Sequence, residues 1–219
     1  MPDTRNRLIY ERHDAALAAA AREFLRGRVI DIGCGKKPYE ELLRPWVTEH
    51  VGVDHAESLH GTSRVDLVGT AYAIPSPEAA FDGAICTAVL EHLEEPGDAL
   101  AECFRVLKPG AYAIYTVPHI WHVHEAPRDF YRFTRYGLEH RFRTAGFEVV
   151  KIEALSGFWV TFGTLLLYNV YRADRGPVRR LRLLEPLGRT LSLAFDRLDR
   201  LDRTEIWTWM YLVVARRPV

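Results

Sequence analysis

Three histidines crowd one short stretch of this chain, "VPHIWHVHEAPRDFYRFT", which runs from Val117 to Thr134. His119, His122 and His124 stand there with Glu125, Asp129 and Tyr131. An unperturbed imidazole titrates near neutral pH, so each of them is suited to take a proton from a hydroxyl acceptor. The competing account is a lid whose histidines hydrogen-bond to backbone. At least one of the three is expected to act on an acceptor, His119 first because it lies nearest the preceding strand. The order His-x-x-His-x-His-Glu is also rich in metal ligands. Neither a helix nor two facing strands is predicted to aim the rings together, so no metal site is expected. Asp129, Tyr131 and Arg132 complete an expected acceptor-binding set. Arg128, Arg132 and Arg135 would alternatively pair with Asp129 and Glu139 on a wet surface.

A second chemical stretch lies nearer the N-terminus, in "RVIDIGCGKKPYEELL", Arg28 to Leu43. Val29, Ile30 and Ile32 read as a short, fully buried strand. Gly33 and Gly35 mark a turn with unusual dihedrals, or a place where a ligand meets bare backbone. Glu40 to Leu43 favour helix. Strand, glycine turn and helix make half of a nucleotide-binding crevice. A phosphate-binding GxxxxGK followed by serine or threonine is absent, and the dinucleotide fingerprint GxGxxG would need glycine where Pro38 sits.

The elements that must position these residues alternate. Helix is expected from Asp14 to Leu25, after Pro38, from Gly97 to Leu107 and from Thr134 to Gly146. Strands are expected at 29–32, 50–54, 64–68, within 81–89, and at 111–118 and 147–155. The alternation predicts an α/β fold, a doubly wound and mainly parallel sheet. Beyond Leu155 the pattern changes. A helical insertion of two or three helices is expected at about 157–205, before a last strand in "IWTWMYLVVARRP". The whole chain, 1–219, is thus expected to be a single domain carrying that insertion.

Of the 219 residues, 48% are hydrophobic and 26% charged, and the 29 basic residues balance the 29 acidic ones. Such a chain can bury a core of its own, and it lacks the basic excess of a general nucleic-acid binder, so no nucleic acid is expected as partner. Cys34, Cys86 and Cys103 form no CxxC pair and read as core residues of a reducing compartment. The polar N-terminus shows no signal-peptide core, and the longest apolar run, "FWVTFGTLLLYNVY", is short for a bilayer. A cytoplasmic protein without a membrane span is expected. The stretch "RGPVRRLRLL" leaves surface association with a membrane open.

"DIGCG", with Asp54 ending the next strand, resembles the loop of the class I S-adenosylmethionine (SAM) dependent methyltransferases. "FDGAICTAVLEHLEEPGDALAECFRVLKPGAYAIYTVP", Phe81 to Pro118, looks like the later motifs of that family in order: strand-four "FD", "VLEH", the "RVLKPG" turn and the next strand. "PRDFYRFTRYGLEHRFRTAGFEVV" is similar to the UbiE-like small-molecule branch. The resemblance implies a Rossmann-like sheet of seven strands with SAM as cofactor. It implies Asp31 near the cationic end, Gly33 and Gly35 against the methionine portion, Asp54 on the ribose hydroxyls, Thr70 and Ala71 lining adenine, and Thr87 at the end of strand four. Lys37 departs from the family's third loop glycine, and Thr70 stands where an aspartate is frequent; Asp66 either substitutes for it or ends strand three. His92, in "VLEHL", either touches cofactor or acceptor or is a packing histidine beside a solvated Glu91.

The implied activity is methyl transfer from SAM to a small-molecule acceptor, with oxygen the foremost atom, in secondary-metabolite or glycan and lipid-precursor biosynthesis. The alternatives are a non-catalytic SAM- or nucleotide-binding scaffold and an NAD(P) oxidoreductase. The helical insertion would serve as acceptor pocket wall or homodimer contact.

Overall fold

The computed structural model describes residues 6–58, 61–171, 184–202 and 204–219. Seven strands form one sheet: β1 (Arg28–Ile32), β2 (Glu49–Asp54), β3 (Leu67–Val68), β4 (Phe81–Thr87), β5 (Leu107–Pro118), β6 (Glu148–Ala154) and β7 (Met210–Arg216), in the order β3-β2-β1-β4-β5-β7-β6. β1 pairs in parallel with β2 and β4, β2 with β3, and β4 with β5. Ile32, Asp54, Thr87 and Pro118 therefore end on one edge. The strand order reverses between β1 and β4, where a parallel sheet opens a crevice.

The buried run of β1 is continuous from Val29 to Ile32, as a strand covered on both faces requires. The first helix, α1, runs Arg7–Phe24, about two turns earlier than its alanine-rich part suggests. α2 is a single turn, Glu40–Leu43. α3 (Pro96–Val106) starts on proline and buries Ala99, Leu100, Cys103 and Val106 along one stripe. α4 (Arg135–Thr144) is capped by the Thr134 side chain, which accepts from Gly137 N–H.

β5 begins at Leu107, not after Pro109 and Gly110 as expected from the helix-stopping pair. Leu107 pairs with Phe81, and a register shift between Phe81 and Gly83 absorbs the extra residues. Asp82 sits at that joint. It accepts from Arg28 N–H (2.8 Å) and from Lys108 Nζ (2.6 Å), linking the starts of β1, β4 and β5.

By internal contacts the chain divides into two compact units, Met1–Ala16 with Ala154–Met210, and Leu17–Glu153 with Tyr211–Val219. In the first, helices α5 (Phe158–Tyr171) and α6 (Leu184–Leu201) cross closely where Gly163 faces the Phe195 ring. Asp199 of α6 accepts from Gly157 and Val160 N–H (3.0 Å each), capping α5, and Arg12 holds Asp199 and Asp196 (2.8 Å each). Most of "RGPVRRLRLL", which the sequence suggested for a membrane surface, lies outside the described residues. Among the described residues no helix is long and apolar enough to cross a membrane.

Candidate active site

The residues singled out by the sequence lie in the second unit, at the carboxyl edge of its strands. Gly33 (φ +72°) and Gly35 (φ +49°) are both left-handed, and a Cβ on Gly33 would stand 2.5 Å from the Val89 side chain. Glycine is thus required there twice over, by conformation and by the wall that the end of β4 builds against the turn. Val53 O accepts from Gly33 and Cys34 N–H, fastening the turn to β2.

Asp54, buried at the end of β2, shapes the other side. Its Oδ2 accepts from Gly35 N–H (2.9 Å) and Ser58 Oγ (3.1 Å), and its Oδ1 from His55 N–H (2.7 Å). A carboxylate offers about four lone-pair sites, so three are engaged. Lys37 occupies the third glycine position with a glycine-like φ of +53°. Its side chain turns inward beneath Gly52, and Nζ donates to His50 O (2.9 Å) and to Asp66. Asp66 also accepts from Gly52 N–H (2.6 Å), so it ties β2 to the approach of β3. Asp31 is fully buried, with Oδ2 3.0 Å from His50 Nε2, and burial raises its pKa. Thr70 is exposed and bridges to Ala73, with Ala71 half-buried between them. Thr87 is half-buried at the tip of β4.

Beyond β4, one 3₁₀ turn (Leu90–His92) carries Glu91 and His92. Glu91 is 0% exposed, and neither carboxylate oxygen has a hydrogen-bond partner. Burial pushes its pKa up to about 8. The expectation of a solvated Glu91 is therefore corrected. The loop after β5 folds back on the same residue, where Phe130 and Tyr131 N–H donate to its backbone O (2.9 and 3.2 Å).

That loop is knitted by Arg132. Its Nη1 donates to Asp129 Oδ1 (2.6 Å) and Tyr131 O (2.7 Å), Nη2 to Asp129 Oδ2 (2.8 Å) and His122 O (2.8 Å), and Nε to Trp121 O (3.3 Å). All five N–H groups of a guanidinium are thus committed within the loop. The Asp129 side chain is 2% exposed, so this pair is not on a wet surface. The Arg132 guanidinium holds the Asp129 carboxyl far below the usual carboxylate range. Tyr131 Oη donates to Glu94 O (2.9 Å). Glu139 pairs with Arg143 (2.8 Å).

The three loop histidines take different places. His124 stands against His92, ring centroids 4.8 Å apart, and burial followed by the neighbouring His92 lowers its pKa. His122 is exposed beside the Trp121 ring (4.8 Å). His119, the first residue past β5, is half-buried with its ring 5.5 Å from that of Tyr211. The site member that the sequence did not single out is Glu91. Its place next to His92 was visible, but the returning loop that bonds its backbone carbonyl was not.

Comparison with known proteins adds a family model described as a methyltransferase domain, which matches residues 4–152. The ubiquinone biosynthesis O-methyltransferase of Methylococcus capsulatus is 32% identical over 108 residues, 44% of this chain and 46% of that one. The enzyme of the same description from Hahella chejuensis is 36% identical over 95 residues, 38% of this chain and 40% of that one. The chain thus spans less than half the length of these curated relatives. Among solved structures, the cyclase SpnF superposes with a TM-score of 0.58 at 25% identity, covering 93% of this chain and 80% of that one.

Proposed function

Since the chain belongs to the family of SAM-dependent methyltransferases, we propose that it transfers the methyl group of SAM to an oxygen of a small-molecule acceptor. The observation that carries the reading is the pair of left-handed glycines backed by Val89, with Gly35 N–H on Asp54. SAM has no phosphate to cradle; it offers a ribose diol and a methionine portion. The residues fit that group. Bare backbone at Gly33 and Gly35 admits the methionine portion, and Asp54 can accept from ribose once Ser58 Oγ gives up its place. Thr70, Ala71 and Thr87 lie along the same strand edge for the remainder, and Asp31 lies buried beneath it. Bound there, SAM supplies a methyl carbon already activated by its sulfonium.

The chain's own residues must then place the acceptor and manage one proton. Arg132 and Asp129 fix the loop's course, and the Phe130 and Tyr131 amides dock it on Glu91. A well-oriented approach is worth up to ~7–11 kcal/mol. His119 is the proposed base, because it follows β5 directly; His122 and His124 are the alternates. The oxygen acceptor is supported by the two O-methyltransferase relatives, whose match covers part of this chain. Secondary metabolites and glycan or lipid precursors remain the proposed acceptor classes, and a cytoplasmic single-domain enzyme the proposed setting.

The test is a screen of small hydroxylated compounds with methyl-labelled SAM. His119→Ala should lower turnover ~10²-fold while SAM affinity by calorimetry stays unchanged. Tight SAM binding with no label transfer to any oxygen compound would point to the scaffold reading. Wild-type turnover in His119, His122 and His124 single and triple variants would reduce the loop to a lid.

A further inference from the structure

We propose that Glu91, His92 and His124 form a site for a divalent first-row transition ion, of which Zn²⁺ is the representative. The starting point is the orphaned carboxylate. Glu91 is wholly buried with both oxygens unpartnered. An unpaired buried carboxyl is costly and calls for a neutralising partner, a proton or a cation. Arg132 is the cation that acts on it, against Asp129 and Glu125, and two imidazoles, those of His92 and His124, stand beside it. One ligand atom each from Glu91, His92 and His124 all lie within 4.8 Å of one another. A tetrahedral site with bonds of 2.0–2.2 Å holds its ligands about 3.4 Å apart, so closure needs shifts of about an ångström.

The tautomer of His92 suits coordination. His92 Nδ1 lies 2.5 Å from Arg128 O, and a carbonyl only accepts, so Nδ1 carries the proton. The lone pair of Nε2 then points where Glu91 Oε1 (3.7 Å) and Glu125 Oε2 (3.8 Å) also converge. A metal-binding histidine characteristically donates its other N–H to a backbone carbonyl or a carboxylate. His124 Nδ1 accepts from Arg132 Nη2 (3.3 Å) and lies 3.4 Å from Asp129 Oδ2. Binding of an ion at Nε2 therefore moves the ring proton to Nδ1, where the Asp129 carboxylate stands ready to accept it.

Two imidazoles and a carboxylate, with Glu125 near enough to be a fourth ligand, select Zn²⁺, Fe²⁺ or Mn²⁺ over Mg²⁺ or Ca²⁺, which take oxygen donors. Such an ion would join the turn after β4 to the loop after β5. Its place beyond Val89, on the strand edge that holds the glycine turn, would let an open coordination position bind an acceptor oxygen. That last role rests on the proposed methyl transfer; the binding of the ion does not.

The experiment uses untagged protein, treated with chelator and dialysed, without SAM or acceptor. Calorimetric titration with Zn²⁺, and the absorption of bound Co²⁺, should report one site per chain, with no comparable heat from Mg²⁺. Glu91→Gln, His92→Ala and His124→Ala should each weaken Zn²⁺ ~10-fold or more, with far-ultraviolet dichroism as the check on folding. His124→Ala lies in a loop and serves where Glu91→Gln fails to fold. Absence of Zn²⁺ binding, equal affinity in wild type and folded variants, or Mg²⁺ binding as tight as Zn²⁺ would each overturn the assignment. SAM affinity, measured separately, tells failure of this site from failure of the methyltransferase reading.

Discussion

Asp54 engages three donors with one carboxylate, two amides and a hydroxyl. Gly35 N–H and His55 N–H fix the side chain, while Ser58 Oγ occupies a lone pair that ribose would need. Asp54→Ala should weaken SAM by ~2 kcal/mol or more, the scale of hydrogen bonds to a charged group. Ser58→Ala should leave SAM affinity at or above the wild-type value, which calorimetry on both variants will test. Unchanged affinity in a folded Asp54→Ala protein would remove Asp54 from the site. At this scale the sequence was informative where a residue's role is set by its immediate neighbours. Gly33, Gly35 and the Thr134 cap are of that kind. It failed for Glu91, because the amides that bond its backbone carbonyl come from Phe130 and Tyr131, far along the chain. The Arg132–Asp129 pairing was legible from spacing, but its burial was not.

Elements were legible in kind and less so in extent. β1 and β4 read clearly because fully buried strands are continuous apolar runs. β3 shrinks to Leu67–Val68, since Asp66 is spent on Lys37 and on Gly52 N–H before the strand begins. The glycine turn gives a prediction at the same scale. Gly33→Val would force a left-handed valine into the Val89 side chain, so it should abolish SAM binding while the far-ultraviolet spectrum persists. Tight binding by that variant would mean the turn faces something else. The joint at Asp82 gives a pH-dependent prediction. Hydrogen bonding from Lys108 lowers its pKa, with Arg28 N–H adding to the effect. A carboxyl depressed in the fold stabilises above its unfolded pKa, and loses that contribution as pH falls through the folded one. With about a third of the side chain in water, the contribution is discounted to ~1 kcal/mol or less. Asp82→Asn should therefore melt lower than wild type at pH 7, and the gap should begin to close below about pH 4. A gap that does not narrow as the pH falls further would show the loss to be packing rather than charge.

At the scale of the molecule, strand order decides where chemistry can occur. Because β1, β2, β4 and β5 are parallel neighbours, residues as distant in sequence as Gly35, Asp54, Glu91 and His119 lie along one edge. This was foreseeable from the alternation of strand and helix, while the division into two compact units was not, because it depends on which segments pack together across the chain. A ligand that binds only the folded state raises its stability by ~2.7 kcal/mol at a hundred times Kd. SAM and its demethylated product should each raise Tm by several degrees, and NAD should not. A shift with NAD alone would restore the oxidoreductase reading.

The loop between β5 and α4 is closed at its base. Phe133 N–H returns to Pro118 O (3.3 Å), and the Phe130 and Tyr131 amides return to Glu91 O. Fastened this way, the segment 119–129 behaves as a cartridge seated in a fixed socket. Lengthening such a closed loop costs only ~0.6 kcal/mol per doubling. The cartridge can therefore be exchanged at little cost to the fold, while the socket and the sheet beneath it keep their sequence.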